Sequence, residues 1–235
     1  MDLLWGREER PGRGPKPSLT LERIVQSGVA LADKGGVRAV TMDRVADALG
    51  VTTMALYRYL PGKEPLIDAM LQAALGEPPP VEPADWRGSL ERWARADRAV
   101  FEAHPWLLDL VPCTPIGPKW LAWLEAGLQS VSQTGLAPNE MLAAVSVVDG
   151  YVRYDAQMER GCAMHDPRYK ASAEEWRACF ARVLERVIAD DHFPILSGLV
   201  ASGAFDQPGD QFEFRLQRVL DGLGALIAQR AAAVV

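Results

Sequence analysis

The sequence is poor in cysteine and histidine, with three of each in 235 residues. Cys113, Cys162 and Cys179 are odd in number and have no paired spacing, which argues against a disulfide framework. Cys162 and His165 have a metal-like separation, but no second pair accompanies them, so no metal site is expected. The fingerprints of a nucleophile elbow, a P-loop and a dinucleotide fold are all missing. Acidic pairs such as Glu174-Glu175 and Asp190-Asp191 fall at helix ends, where simple solvation accounts for them. No catalytic residue and no cofactor is therefore expected, and a helical enzyme is a distant alternative. Long apolar runs are also lacking: nothing approaches the roughly 18 residues of a membrane span. The opening MDLLWGREER has no apolar segment of the signal-peptide kind. A cytoplasmic chain with no membrane partner is expected. Finally, no stretch alternates with the period of a strand, so the expected fold class is all-α.

A net charge of −6 argues against a chain that coats nucleic acid, but the charge is unevenly spread. Residues 1–75 hold ten Lys and Arg against nine Asp and Glu, and the remainder is strongly acidic. An anionic partner is expected to meet the N-terminal part.

Residues 1–19 include REERPGRGPKPS, with much proline, glycine and charge and little to bury, and are expected to form a flexible basic arm. A first helix starts at a Thr20 cap and stops at Gly35-Gly36. Thr41 caps a second helix, with Asp43 in its first turn and Met42, Val45 and Leu49 inward, and Gly50 ends it. A third is expected from Thr53 to Leu60, stopping at Pro61-Gly62, and a fourth begins near Lys63. The proline-rich GEPPPVEPAD, residues 76–85, is the expected boundary between a domain at 20–75 and one at 76–235.

Short helices joined by a glycine turn are the outline of a helix-turn-helix. The turn is Gly50-Val51-Thr52, and the recognition helix begins at Thr53. Leu56 and Leu60 face inward, which leaves Thr53, Met54, Tyr57 and Arg58 outward. Hydroxyls, Lys63 and a helix N-terminus suit phosphates. A three-helix bundle with a polar surface would need fewer exposed tyrosines beside Arg58 and Lys63.

Residues 20–70 resemble the DNA-binding domain of the tetracycline-repressor (TetR) family. The stretch TMDRVADALGVTTMALYRYLPGKEPLIDAM follows its pattern: a Thr-capped helix, an Ala-x-x-x-Gly-Val turn, a Leu-Tyr-x-aromatic core and Lys-x-x-Leu leading into the fourth helix. The resemblance implies that Thr41 meets a phosphate, that Thr53 and Met54 read base edges, and that Tyr57, Tyr59 and Lys63 hold the backbone. Arg44, Thr52 and Arg58 complete the candidate DNA surface. Arg10, Arg13 and Lys16 of the arm are candidates for the minor groove, against the alternative of a solvated tail. Met54 and Ala55 offer apolar side-chain contact alone, and Asp43 stands where a cation would suit DNA better. Thymine methyl contact and DNA shape are therefore expected to carry much of the specificity.

Beyond residue 85 the periodicity is helical throughout. Trp86, Leu90, Trp93, Asp97, Val100 and His104 share one face. A short helix follows Pro105, another helix runs from Lys119 to Gln133, and Pro138 opens a long one to Cys162. "SAEE" at Ser172 reads as a capping box, and the last helix runs over 211–229. Aromatics at helical spacing are usually core, but polar groups on apolar stripes ask for a partner. Trp93, Asp97, His104, Trp106, Trp123, Asp149 and Arg153 are thus the candidates for an effector site. Arg153, one turn beyond Asp149, is an equally good structural partner for it. Phe212, Leu216, Val219, Leu223 and Leu226 have the spacing of a dimer seam, with part of the helix 138–162 beside them. The expected protein is a homodimeric regulator, binding an inverted-repeat operator in double-stranded DNA and released by a small-molecule effector. An activator, or a regulator needing no ligand, shares the same DNA chemistry.

Overall fold

The computed structural model describes residues 19–110, 117–163, 173–188, 193–204 and 211–233. Among the described residues there are helices and turns and no strand. Helix α1 is Leu21–Gly35 and α2 is Met42–Leu49, with a 3-10 turn at Val37–Ala39 between them. Both begin as the hydroxyls suggest: Thr20 Oγ1 accepts from the Arg23 N–H and Thr41 Oγ1 from the Arg44 N–H, each at 3.2 Å. Gly50 ends α2 in the left-handed region at φ 68°, its N–H turned back to the carbonyls of Ala46 and Asp47.

Helix α3, Thr53–Leu56, is shorter than the sequence suggests. The Tyr59 N–H reaches back three residues to the Leu56 carbonyl, and Leu60 is held out of the helix by Pro61. Helix α4, Lys63–Leu75, packs on α1 where Gly28 makes room: a Cβ there would stand 2.7 Å from Met70 Sδ. Ile24, Val40, Val45, Leu56, Leu60, Leu66 and Met70 fill this head and are all fully buried.

The second half of the chain meets α4 chiefly through its helix 118–131. Helix α5 is Trp86–Ala103, capped by Asp85, whose Oδ1 accepts from the Gly88 N–H. A 3-10 segment, Pro105–Asp109, follows. Helices α6 (Pro118–Val131) and α7 (Pro138–Ala163) cross closely, because a Cβ at Gly127 would lie 2.8 Å from Val145 Cγ1. Helix α8 is Ala173–Ile188, α9 is Pro194–Ala201 and α10 is Phe212–Ala233. Helix α9 went unread in the sequence, and Ser172, the proposed cap of α8, lies outside the described residues.

Helix α10 lies on α5 and α7. The Tyr151 hydroxyl donates to the Phe212 carbonyl at 2.7 Å, and Arg95 grips Glu213 through two bonds of 2.7 and 2.9 Å. Phe212, Leu216 and Leu220 are consequently spent inside the subunit, at 1% exposure or less. This corrects the seam expected from spacing, because Phe212 and Leu216 belong to the subunit core. Val219, Leu223 and Leu226 remain half-buried.

Candidate nucleic-acid interface and effector cavity

At the head, α3 projects Met54 and Tyr57 into solvent at 73% and 46% exposure. Thr41, Arg44, Thr52 and Arg58 are exposed around them, and Lys63 is half-exposed at the start of α4. The Thr53 hydroxyl donates to Asp43 Oδ1 at 2.8 Å. Its proton is thereby committed, so toward a base edge it offers an acceptor. The same bond ties the acid of α2 to the recognition helix. Arg44 Nη1 donates to the Ala39 carbonyl at 2.9 Å, which steers its guanidinium along the 3-10 turn.

Tyr59 is placed otherwise than expected. Its hydroxyl donates to the Leu19 carbonyl at 2.9 Å and its ring packs on the core, so it anchors the chain entering α1 rather than facing DNA. Arg10, Arg13 and Lys16 lie outside the described residues.

In the second half of the chain, α4, α5, α6, α7 and the segment Pro105–Asp109 surround a cavity of about 140 Å³. That is close to the size of an engineered cavity known to hold one benzene ring. Leu71 and Leu75 of α4 form one wall, Trp120 and Trp123 of α6 another, and Trp93 and Phe101 of α5 a third. The indoles of Trp93 and Trp123 meet edge to face, with centroids 5.8 Å apart. Trp93 Nε1 donates to the Trp123 carbonyl and Trp123 Nε1 to the Leu75 carbonyl, each at 3.0 Å.

Into this apolar space come Asp97 from α5 and Asp149 and Arg153 from α7. Asp97 is 5% exposed, and its Oδ2 is buried without a hydrogen-bond partner among the described residues. Burial, helped by the nearby charge of Asp149, pushes its carboxyl well above the usual range, and Arg153 offsets this in part. Burial also raises Asp149, again against the pull of Arg153. The guanidinium of Arg153 lies 3.5 Å from Asp149 and over the Phe101 ring at 5.1 Å, and its buried Nη1 has no partner among the described residues.

Of the residues read as an effector site, Trp93, Asp97, Trp123, Asp149 and Arg153 thus converge on one cavity. His104 and Trp106 do not. His104 Nδ1 lies 2.8 Å from Asp33 Oδ1, and Trp106 Nε1 donates to the same oxygen at 2.7 Å. Both side chains turn toward α1 because Asp33 offers an acceptor there, and they join the two halves of the chain. The walls Leu71, Leu75, Trp120 and Leu107 were missed as site residues, since apolar residues at helical spacing carry no mark of which void they border.

A second junction lies beside the cavity. Gln72 of α4 is buried, and its Oε1 accepts from the Lys119 N–H at the start of α6 at 2.9 Å. The Lys119 ammonium pairs with Glu77. Gly117 lets Gln72 pass: a Cβ there would stand 2.4 Å from its Cδ. Among the described residues no helix is long and apolar enough to cross a membrane, and no His, Cys, Asp or Glu cluster could hold a metal. Cys162 and His165 fall outside the described side chains.

A helix-turn-helix head joined to a helical half with a half-open cavity is the architecture of a one-component transcriptional regulator. Residues 24–70 match the model for bacterial regulatory proteins of the tetR family, and residues 79–227 match the tetracyclin repressor-like C-terminal domain. The chain is 40% identical to the HTH-type transcriptional repressor DrrR1 of Streptomyces coeruleorubidus, over 98% of this chain and 86% of that protein. It is 28% identical to an HTH-type transcriptional repressor of Mycobacterium tuberculosis, over 99% of this chain and 90% of the other. Apo ActR of Streptomyces coelicolor shares the fold, with a TM-score of 0.72 at 23% identity over 93% of this chain and all of that one. Solved complexes of ActR hold actinorhodin (TM-score 0.72, 23% identity, covering 90% of this chain and 97% of that one) and (S)-DNPA. This chain belongs to the tetracycline-repressor family of DNA-binding transcriptional regulators.

Proposed function

We propose that this protein is a dimeric cytoplasmic repressor, with an effector half at 76–235 that loosens the grip of the head at 20–75 on an inverted-repeat operator. The observation that carries this is the double role of α4. Its first residue, Lys63, is one of the residues read from the sequence as a DNA contact, while Leu71 and Leu75 near its end are walls of the cavity. A molecule entering among the tryptophans pushes on the helix that sets the head. The names of the repressor relatives and the ligands held by ActR point the same way.

The effector is an aromatic or apolar molecule with at least one hydrogen-bonding group, since the walls are flat and apolar and the polar groups few. Release requires it to favour the operator-incompetent form, and each tenfold preference shifts the balance by about 1.4 kcal/mol. One recognition helix of two turns or less reads few base pairs, so symmetry must double it, with half-sites roughly 34 Å or a multiple apart.

Selection from random duplexes tests the DNA side, and enrichment of an inverted repeat is the expected result. On the selected duplex, Tyr57→Ala and Lys63→Ala weaken binding whatever the base sequence. Lys63→Ala also reduces the slope of log affinity against log salt by about 1.8, about 0.9 for each subunit of the dimer. No enriched repeat, or an unchanged salt slope, would contradict the assignment. Titration of the protein–duplex complex with a panel of small aromatic compounds tests the release.

A further inference from the structure

The charges and donors around the cavity specify its ligand more narrowly, on the footing that this cavity is the effector site. Among the described residues lining it, two acids, Asp97 and Asp149, face a single cation, Arg153. That cation is already shared between Asp149 and the Phe101 ring. Asp97 is the surplus acid, nineteen-twentieths buried, with an oxygen that no described residue satisfies.

The donors on the walls are largely spent. Trp93 and Trp123 give their N–H groups to backbone carbonyls, and the Ser146 hydroxyl donates to the Leu142 carbonyl at 2.8 Å. What the walls still present is Arg153 Nη1 on one side and, on the other, the Asp97 carboxyl oxygen and the faces of indole rings, which attract cations.

We infer that the ligand is a cation: a flat apolar body carrying one protonated amine, its ammonium seated against Asp97 and its body between Trp93, Trp120 and Trp123. An anion would add to two acids against one guanidinium. A neutral molecule would leave Asp97 protonated and would draw nothing from its charge.

A consequence for pH follows. In the empty cavity Asp97 is held toward its protonated form by burial and by Asp149, with Arg153 opposing. Among the described residues, Asp149 and Arg153, both on α7, are the other titratable or charged groups on the wall. Helices α4 and α6 and the segment Pro105–Asp109 contribute Leu71, Leu75, Trp120, Trp123, Leu124 and Leu107 to it, none of which titrates there. An ammonium favours the carboxylate, so binding expels a proton, and affinity rises with pH until the empty cavity is itself ionised.

The test uses the full chain and three probes of one size: 2-phenylethylamine, 2-phenylethanol and phenylacetate, followed by calorimetry and ligand-detected NMR. The amine is expected to bind about tenfold or more tighter than the alcohol, and phenylacetate more weakly still. Its affinity is expected to rise between about pH 5 and pH 8, while that of the alcohol stays flat. Asp97→Asn removes the preference for the amine while the alcohol still binds, which shows the cavity intact, and Asp149→Asn lowers the preference less. If the alcohol or the acid binds as tightly as the amine, the charge inference fails and the effector cavity stands. An amine preference that survives Asp97→Asn also overturns it. If no probe binds, both this inference and the placing of the effector site fall.

Discussion

At the scale of single residues, Tyr59 shows how a side chain can hold a family's DNA-contact position and act structurally. Its hydroxyl is occupied by the Leu19 carbonyl across the entry to α1. Tyr59→Phe is therefore expected to lower folding stability by about 0.5–1.5 kcal/mol, measured by urea unfolding, with the salt slope of operator binding unchanged. A flattened slope would return Tyr59 to the DNA surface.

Asp97 makes the opposite kind of residue-scale statement, since it is costly where it stands. Its folded carboxyl is raised well above its unfolded value, so the folded chain binds more protons through that range. Stability from this group is fully present at low pH and is lost as pH rises through the folded value. Unfolding free energies taken from about pH 4 upward should show wild type falling relative to Asp97→Asn. Parallel curves would mean that Asp97 is ionised and satisfied in the folded chain.

At the scale of elements, the coupling proposed above runs through the end of α4. Three bonds fix it to α6 and its approach: Gln72 to the Lys119 N–H, Glu77 to the Lys119 ammonium, and the Leu75 carbonyl to the Trp123 indole. Trp123→Phe keeps an aromatic wall but deletes the third. The variant should still bind ligand while losing part of the ligand-driven drop in operator affinity, compared by fluorescence anisotropy with labelled duplex. An undiminished drop would move the coupling elsewhere, to the Asp33 junction with His104 and Trp106 first of all.

Elements are also the level at which the sequence was most legible. Thr20, Thr41, Gly50 and Pro138 mark helix ends by local chemistry, and their ends fall where that chemistry places them. Asp97, Asp149 and Arg153 stood out because a polar group on an apolar stripe is a local anomaly. The fates of His104 and Trp106 were not legible, because they depend on Asp33, some 70 positions away in the chain. The same is true of Phe212 and Leu216. Their spacing says that α10 buries a stripe, but spacing alone cannot distinguish a stripe buried in its own subunit from one buried in a partner.

At the scale of the whole molecule, that last ambiguity bears on assembly. With Phe212, Leu216 and Leu220 turned inward, the outward side of α10 includes Gly222, where an added Cβ would meet nothing within 4 Å. Helix α7 exposes Val147, Tyr154 and Met158 on one stripe, each between 43% and 55% accessible. Exposed apolar stripes beside an open helical glycine suit close packing against a second copy, and an inverted-repeat operator requires one. Gly222→Glu separates folding from assembly. Within one subunit the new side chain has free space, and replacing a mid-helix glycine should stabilise the helix by up to about 1 kcal/mol. In a two-fold seam, two carboxylates would be brought together and stripped of water. The variant is expected to melt no lower than wild type at high dilution, yet to sediment as a monomer and bind its operator weakly. If it sediments as wild type does, Gly222 lies outside the seam, and the search moves to the exposed Phe180 and Val183 of α8.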